Sequence, residues 1–311
     1  MLVSSLSLFV FVYLISFIIV MNSDDWFMIW LGLEMNMMSF IMLIYHKGSK
    51  MDSESSIKYF FIQSLGSGVL ISSFYLNEVD LLVLMSLSYK MGFGPFFFWF
   101  PSMCSGLTWM SCFMLMSFQK VMPLILLFLM MGNYCWLFIM ISLVLGVVGS
   151  FNQSSIKQLL AYSSIQHLGW IVLCGLCNDY VWVLYLFMYW VIILGLIYGL
   201  KLYNVYSMND MSKWKNKWWF IMGLFSMGGL PPMLGFFLKW IVFINIVYKD
   251  FMNMILFVLM SVIMFYVYMR VVYDMLLGGG FSFEYYSYSK MDLLSVMGVF
   301  IGLMVLLVLM Y

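Results

Sequence analysis

The sequence predicts an all-α fold, a polytopic transmembrane helix bundle of about eleven spans, two of them broken. Three observations predict it. First, 65% of the 311 residues are hydrophobic and 9% are charged, with a mean hydropathy of +1.04. A soluble domain carries charge on roughly a quarter of its residues. The 14 basic and 13 acidic groups cannot coat a globule of this size. This excludes a soluble enzyme, a nucleic-acid-binding protein and a disordered chain. Second, the apolar runs are long and uncharged, as in Leu2–Met21 and Leu293–Tyr311. They lack the alternation of a transmembrane barrel. Lipid offers no water to backbone groups, so such runs are helices. Third, a span takes about 20 residues, and the polar stretches are short. His46–Ser56, Asn204–Lys217 and Gly278–Lys290 are the longest.

The whole chain, 1–311, reads as one transmembrane domain. The first span, 2–21, has no charge. The second, 26–45, follows Asp24-Asp25 and holds Glu34. The third, 58–76, starts at Lys58. The fourth, 81–100, runs through Gly92-Phe93-Gly94-Pro95. The fifth, 106–131, holds Lys120 and Pro123. The sixth is 134–151; the seventh, 155–176, holds His167; the eighth, 180–203, ends near Lys201. The ninth, 218–248, runs through Gly228-Gly229-Leu230-Pro231-Pro232. The tenth, 251–277, holds Arg270, and the eleventh is 292–311. Proline removes a donor and clashes one turn back. Spans four and nine are therefore the broken ones, and each break has a lysine nearby, Lys90 or Lys239. Breaks at membrane depth commonly mark ion or substrate sites.

Loop charges set an orientation. Lys47, Lys50, Lys58, Lys157, Lys201, Lys213, Lys215, Lys217 and Lys290 fall on the N-terminal side of the membrane, and Lys249 falls opposite. The positive-inside rule then turns the N-terminus toward the matrix or cytoplasm. With eleven spans the C-terminus lies on the other face. No cleavable leader is expected, because the first span has no basic flank.

Composition also points to a genome. Met numbers 34 and Trp 12, while Ala161, Thr108 and Arg270 stand alone in their residue types. A coding strand poor in C, read with codes in which ATA is Met and TGA is Trp, yields this bias. Many mitochondrial genomes meet both conditions; a biased bacterial membrane protein is the alternative.

Glu34, Lys90, Lys120 and Lys239 remain well inside their spans, and Arg270 lies close enough to an end to snorkel. A central charge costs about 2.5–3.5 kcal/mol on insertion scales, so four cost on the order of 10 kcal/mol uncompensated. The chemistry that suits one carboxylate and three ammonium groups is proton transfer. Burial lowers a lysine's pKa and a neighbouring carboxylate raises it. A swing of two units is worth roughly 2.7 kcal/mol. Moving a charge through 100 mV costs about 2.3 kcal/mol, so the scales match. Buried ion pairs that serve packing alone are the other reading. His167 is either a proton relay or a hydrogen-bonded packing residue. The sequence has no His-rich or Cys₄ ligand set and no nucleotide-binding motif. Cys174 and Cys177 read as free thiols in lipid. No metal or cofactor site is expected in this chain.

Six segments resemble a known family. They are Trp30–Asn36, Lys58–Ser64, Lys90–Pro101, Phe118–Leu124, Lys157–Ile165 with His167–Trp170, and Gly229–Trp240. In order and together they are similar to the subunit 2 family of mitochondrial NADH–ubiquinone oxidoreductase, respiratory complex I. The likeness thins after about residue 245. It implies an antiporter-like membrane subunit in which Glu34, Lys90, Lys120 and Lys239 form a hydrated axis. It also implies that NADH, FMN, iron–sulfur clusters and ubiquinone belong to partner subunits, and that this chain holds no cofactor. Expected partners are other complex I subunits, above all neighbouring antiporter-like ones, and membrane lipids, with no nucleic acid. Full-length relatives have fourteen spans, most related by an inverted repeat; bilaterian animal versions lack the first three. The sequence departs from many relatives at Gly94, where they have alanine, and at Phe97, where they have histidine. A multisubunit cation/proton antiporter and a purely structural membrane-arm subunit are the competing readings.

Overall fold

A computed structural model describes residues 2–45, 50–75, 79–130, 134–177, 180–203, 205–206, 217–247 and 251–277. The expected span 292–311 lies outside the described residues, as do Lys47, Lys213, Lys215, Lys249 and Lys290. Every regular element among the described residues is helical. Five helices are long and apolar enough to cross a membrane alone: Trp26–Ile44, Trp109–Leu129, Ile156–Leu176, Val181–Leu202 and Met254–Leu276. A bent pair, Asp80–Phe96 with Trp99–Gly106, makes a sixth. The chain forms two compact units that divide between Ser142 and Leu143.

The first unit opens with α1 (Leu2–Asn22) and α2 (Trp26–Ile44), which pack closely. Gly32 permits this: a Cβ there would lie 2.6 Å from Val20 Cγ2. Small residues let membrane helices approach, because lipid gives no hydrophobic drive for association. Tyr13, Ser16 and Val20 form the buried stripe of α1, while Leu8, Phe11, Leu14 and Ile18 face outward. On α2 the inner face carries Asn36 and Ser39, and Phe27, Met35, Met38 and Met42 point out. Asn36 and Ser39 are thus kept from the outward apolar face of α2, as lipid requires.

Helix α3 (Lys50–Tyr75) begins at Lys50, about two turns ahead of the apolar segment that starts at 58. Hydropathy finds only the lipid-buried part of a helix. The extra turns are polar and closed by local bonds. Ser53, Ser55 and Ser56 hydroxyls donate to carbonyls three residues back, and Lys58 pairs with Glu54. That ammonium holds the Glu54 carboxyl below its ordinary range.

The first break follows α4 (Val79–Met91). Gly92 has φ +66°, and two bonds close the helix end: Phe93 N–H to Ser88 O at 2.9 Å and Gly92 N–H to Tyr89 O at 3.3 Å. This is the Schellman pattern, with glycine in the left-handed position. Gly94 is also left-handed, at φ +64°, and Pro95 starts a 3₁₀ turn, Gly94–Phe96. Helix α5 (Trp99–Gly106) then departs at 95° to the line of α4. An alanine at Gly94 would be strained and would press its Cβ to 2.7 Å from Phe138 Cδ1.

Helix α6 (Trp109–Met116) is separated from α7 (Val121–Leu129) by a 3₁₀ turn, Phe118–Lys120. Residues 106–131 read as one uninterrupted span, yet the helix tightens here for a local reason. Pro123 cannot donate to the Gln119 carbonyl one turn back. Helix α8 runs over Cys135–Ser150.

In the second unit α9 (Ile156–Cys177) is the most enclosed helix, with Ile165, Trp170 and Val172 all shut in. It packs on α10 (Val181–Leu202) and α12 (Leu234–Val247), and α11 (Lys217–Gly228) and α13 (Phe251–Leu277) complete the unit. The second break separates α11 from α12. Gly229 has φ +81°; Leu230 N–H reaches Phe225 O and Gly229 N–H reaches Ser226 O, both at 3.2 Å. The same cap closes both breaks.

Gly92→Ala tests the first cap. It forces a left-handed alanine and a contact of 3.0 Å with Phe100 Cβ. A stability loss of about 1–2 kcal/mol is expected, read as a lower melting temperature of the detergent-solubilised protein.

Candidate functional site

The breaks leave helix carbonyls without an intrahelical partner inside apolar surroundings. At α4, Ser88 and Tyr89 are served by the cap, and the Trp99 indole also donates to Tyr89 O at 3.0 Å. The Lys90 carbonyl accepts from Gln63 Nε2 at 2.9 Å. At α11, Phe225 and Ser226 are served by the cap. The last carbonyl, Gly228 O, accepts from the Lys239 ammonium at 2.8 Å. A cation at a helix C-terminus is stabilised by the helix dipole as well as the hydrogen bond. Lys90, in the last turn of α4, shares that dipole effect.

The three lysines and one glutamate expected inside the membrane are placed unevenly. Lys90, Lys120 and Lys239 are 7%, 2% and 6% exposed. Glu34 is half-buried on α2, and its charge reaches Lys90. Lys120 stands over the Phe100 ring, 4.6 Å from its centre. Lys90 and Lys120 line one cavity together with Asn36, Tyr59, Gln63 and Gln119. Gly66 makes room for Lys90: a Cβ there would lie 2.9 Å from Lys90 Cγ.

Three polar side chains of this cavity form a chain. The Tyr59 hydroxyl donates to Gln119 Oε1 at 3.1 Å, and Gln119 Nε2 donates to Asn36 Oδ1 at 3.0 Å. Asn36 Nδ2 then donates to Met122 Sδ at 3.1 Å. Asn36, Tyr59, Gln63 and Gln119 all fall in segments that resemble the family, but nothing in the sequence links them. The available signal was polar residues on the buried helix faces, in segments that resemble the family. The structure joins two of the expected lysines in one cavity, with Glu34 nearby.

Lys239 lies in the second unit and borders another cavity, of about 190 Å³, lined by Gly229, Phe236, Trp240, Phe243 and Ser261. His167, 5% exposed, does not line it. Its Nδ1 is 2.9 Å from the Tyr185 hydroxyl, and its ring lies 5.0 Å from that of Tyr189. Ser163 and Ser164 give their hydroxyl protons to Leu160 and Ala161 carbonyls. Arg270 is exposed and donates to Phe151 O at 3.2 Å. Phe97 packs on Phe98 and does not line the lysine cavity. Cys104, Cys112, Cys135 and Cys174 are buried and form no disulfide; the side chain of Cys177 lies outside the described residues. Among the described residues no three His, Cys, Asp or Glu side chains gather as a metal site.

Comparison with known proteins places this arrangement. The family model for the transmembrane region of NADH:quinone oxidoreductase and Mrp antiporters matches residues 23–78 and 71–265. The chain belongs to the NADH:quinone oxidoreductase/Mrp antiporter family. Among relatives in this family, NADH-ubiquinone oxidoreductase chain 2 of Locusta migratoria is 34% identical over 270 residues, covering 80% of this chain and 79% of the relative. The protein of that name from Anopheles gambiae is 32% identical over 293 residues, covering 86% and 85%. A chain of respiratory complex I from Thermus thermophilus shares the fold, with a TM-score of 0.80 at 19% identity over 98% of this chain and 79% of that one. A chain of the Mrp complex from Dietzia gives 0.70 at 14% identity, over 86% and 59%.

Gly66→Val crowds the cavity at Lys90. Overpacking of about 1–3 kcal/mol is expected, and a high-resolution structure of the variant should show Lys90 displaced from the cavity. Lys90 in its native position would refute the role given to Gly66.

Proposed function

We propose that this chain is a core membrane-arm subunit of respiratory complex I, where it couples electron transfer from NADH to ubiquinone to proton translocation. Family membership and the curated relatives support the assembly. The observation that carries the chemistry is the pair of buried lysines, Lys90 and Lys120, on one polar-lined cavity beside a helix break. A neutral lysine on this cavity can take up the proton that a charged one gives up.

In this reading the relay runs through Glu34, Lys90, Lys120 and Lys239, with His167 as a further relay through its Tyr185 hydrogen bond. Glu34 attracts a proton toward Lys90; opening that contact releases it toward Lys120. Lys239, bonded to the α11 carbonyl end, stabilises its charge while waiting for a transfer. The chain forms one antiporter-like domain of eleven spans in the mitochondrial inner membrane, its N-terminus on the matrix side and its C-terminus on the intermembrane-space side. Flavin, iron–sulfur clusters and the quinone belong to partner subunits. Neighbouring antiporter-like subunits and lipid cover its outward apolar faces.

Two experiments test this. Solubilised under mild detergent, the chain should migrate in a very large assembly that oxidises NADH with quinone. A small, flavin-free complex with sodium-dependent proton flux would instead make it an antiporter subunit. In the large assembly, Lys90→Met should cut quinone-coupled turnover per flavin by about tenfold or more, within the range typical of a lost proton-transfer group. NADH oxidation by a water-soluble electron acceptor should be unchanged. Unaltered coupled turnover and proton uptake in that variant would leave a purely structural role.

A further inference from the structure

We propose that Gln119 is a positioning residue for a water that joins Lys90 to Lys120, and that the Met122 sulfur fixes the orientation in which it does so. This rests on the proton-transfer reading above.

The need for a water follows from donor chemistry. A lysine ammonium has three donors and no acceptor, and an amide does not take up a proton at neutral pH. Where the two amines do not touch, a proton leaving one reaches the neutral other through a group that both accepts and donates. The cavity has about 20 Å³ open to the centre of a water molecule. One water needs about 10–15 Å³ by that measure, and two to four polar partners. The cavity therefore has room for about one water, between walls that include Lys90, Lys120, Asn36, Gln63 and Gln119. In the transfer an N–H bond of the donor lysine breaks and an O–H bond forms on the water. Another O–H bond of that water breaks as an N–H bond forms on the neutral acceptor lysine. No electrons change hands.

The water's remaining hydrogen needs an acceptor that does not compete for the proton. Gln119 Oε1 has two lone pairs, and Tyr59 occupies one of them. The free lone pair is available only if the amide keeps its orientation. Reversed, Gln119 would turn its NH₂ toward Tyr59 and need a donor from Asn36. Asn36 would then have to turn its own oxygen onto Met122 Sδ. A thioether accepts and cannot donate, so that state leaves an oxygen unpaired in a buried site. Such a group is costly. The sulfur contact at 3.1 Å thus sets Asn36, Asn36 sets Gln119, and Gln119 sets the water.

Gln119→Met keeps the volume and removes the acceptor. In the assembled complex it should lower coupled turnover and proton uptake per flavin by about tenfold, the scale of one lost hydrogen bond to a charged group. Assembly and NADH oxidation by a water-soluble acceptor should stay normal. Met122→Leu, a mild volume change, should lower turnover by a smaller factor while Tyr59 and Gln119 are untouched. Normal coupled turnover in Gln119→Met overturns the proposal, because packing alone would then explain the residue. If that variant fails to assemble, a map of the native complex near 2 Å resolution decides. Water density within hydrogen-bond reach of Gln119 Oε1 and a lysine Nζ supports the proposal, and an empty cavity overturns it. Lys90→Met run in parallel separates the two ideas: normal proton uptake there overturns the proton-transfer reading itself, whereas a defect there beside a normal Gln119→Met overturns only the water.

Discussion

A helix that stops inside a membrane exposes carbonyl oxygens to surroundings that cannot hydrate them. The architecture around both breaks is an answer to that constraint. Each helix ends on a left-handed glycine, Gly92 or Gly229, whose cap takes two carbonyls. Of the remaining ones, Lys90 O accepts from Gln63 and Gly228 O from Lys239, while Trp99 adds a second donor to Tyr89 O. Gln63 and Trp99 also line the Lys90 cavity, and Lys239 borders the second one. Breaking the helix and burying the lysine are thus one structural event. The carbonyl end compensates the ammonium, and the ammonium or a neighbouring amide compensates the carbonyl.

The two units reach this end differently. In the first, Lys90 belongs to the helix that stops, and its backbone carbonyl is served by Gln63 of α3. In the second, Lys239 comes from the helix that resumes and reaches back to Gly228. The first cavity is small and rich in amides; the second is larger and walled by Phe236, Trp240, Phe243 and Phe265. Lys90 borders a cavity lined by amides, whereas Lys239 sits against a single carbonyl and aromatic rings.

Composition and helix-length runs were enough to read an all-helical membrane protein, because lipid permits few alternatives. Glycine–proline clusters marked where α4 and α11 stop. The interruption at Phe118–Lys120 was harder to see, since Pro123 acts one turn away from its own position. The start of α3 at Lys50 escaped because polar helix outside lipid leaves no hydropathy signal. Buried charge was legible: Lys90, Lys120 and Lys239 stand out of apolar runs. Their partners were not. Tyr59, Gln63 and Gln119 lie on different helices, and nothing local in the sequence tells which buried amide faces which lysine. That pairing is a property of packing.

Gly66 shows what such packing means for heritable change. Its hydrogen faces the Lys90 chain where any β-carbon would press within 2.9 Å. Every amino acid that a mutated glycine codon can specify carries a side chain. Missense drift at this codon therefore moves in one direction only, toward crowding the lysine. In a lineage whose coding strand is under strong base bias, that makes the position a one-sided trap: selection can hold it, but neutral wandering has nowhere harmless to go.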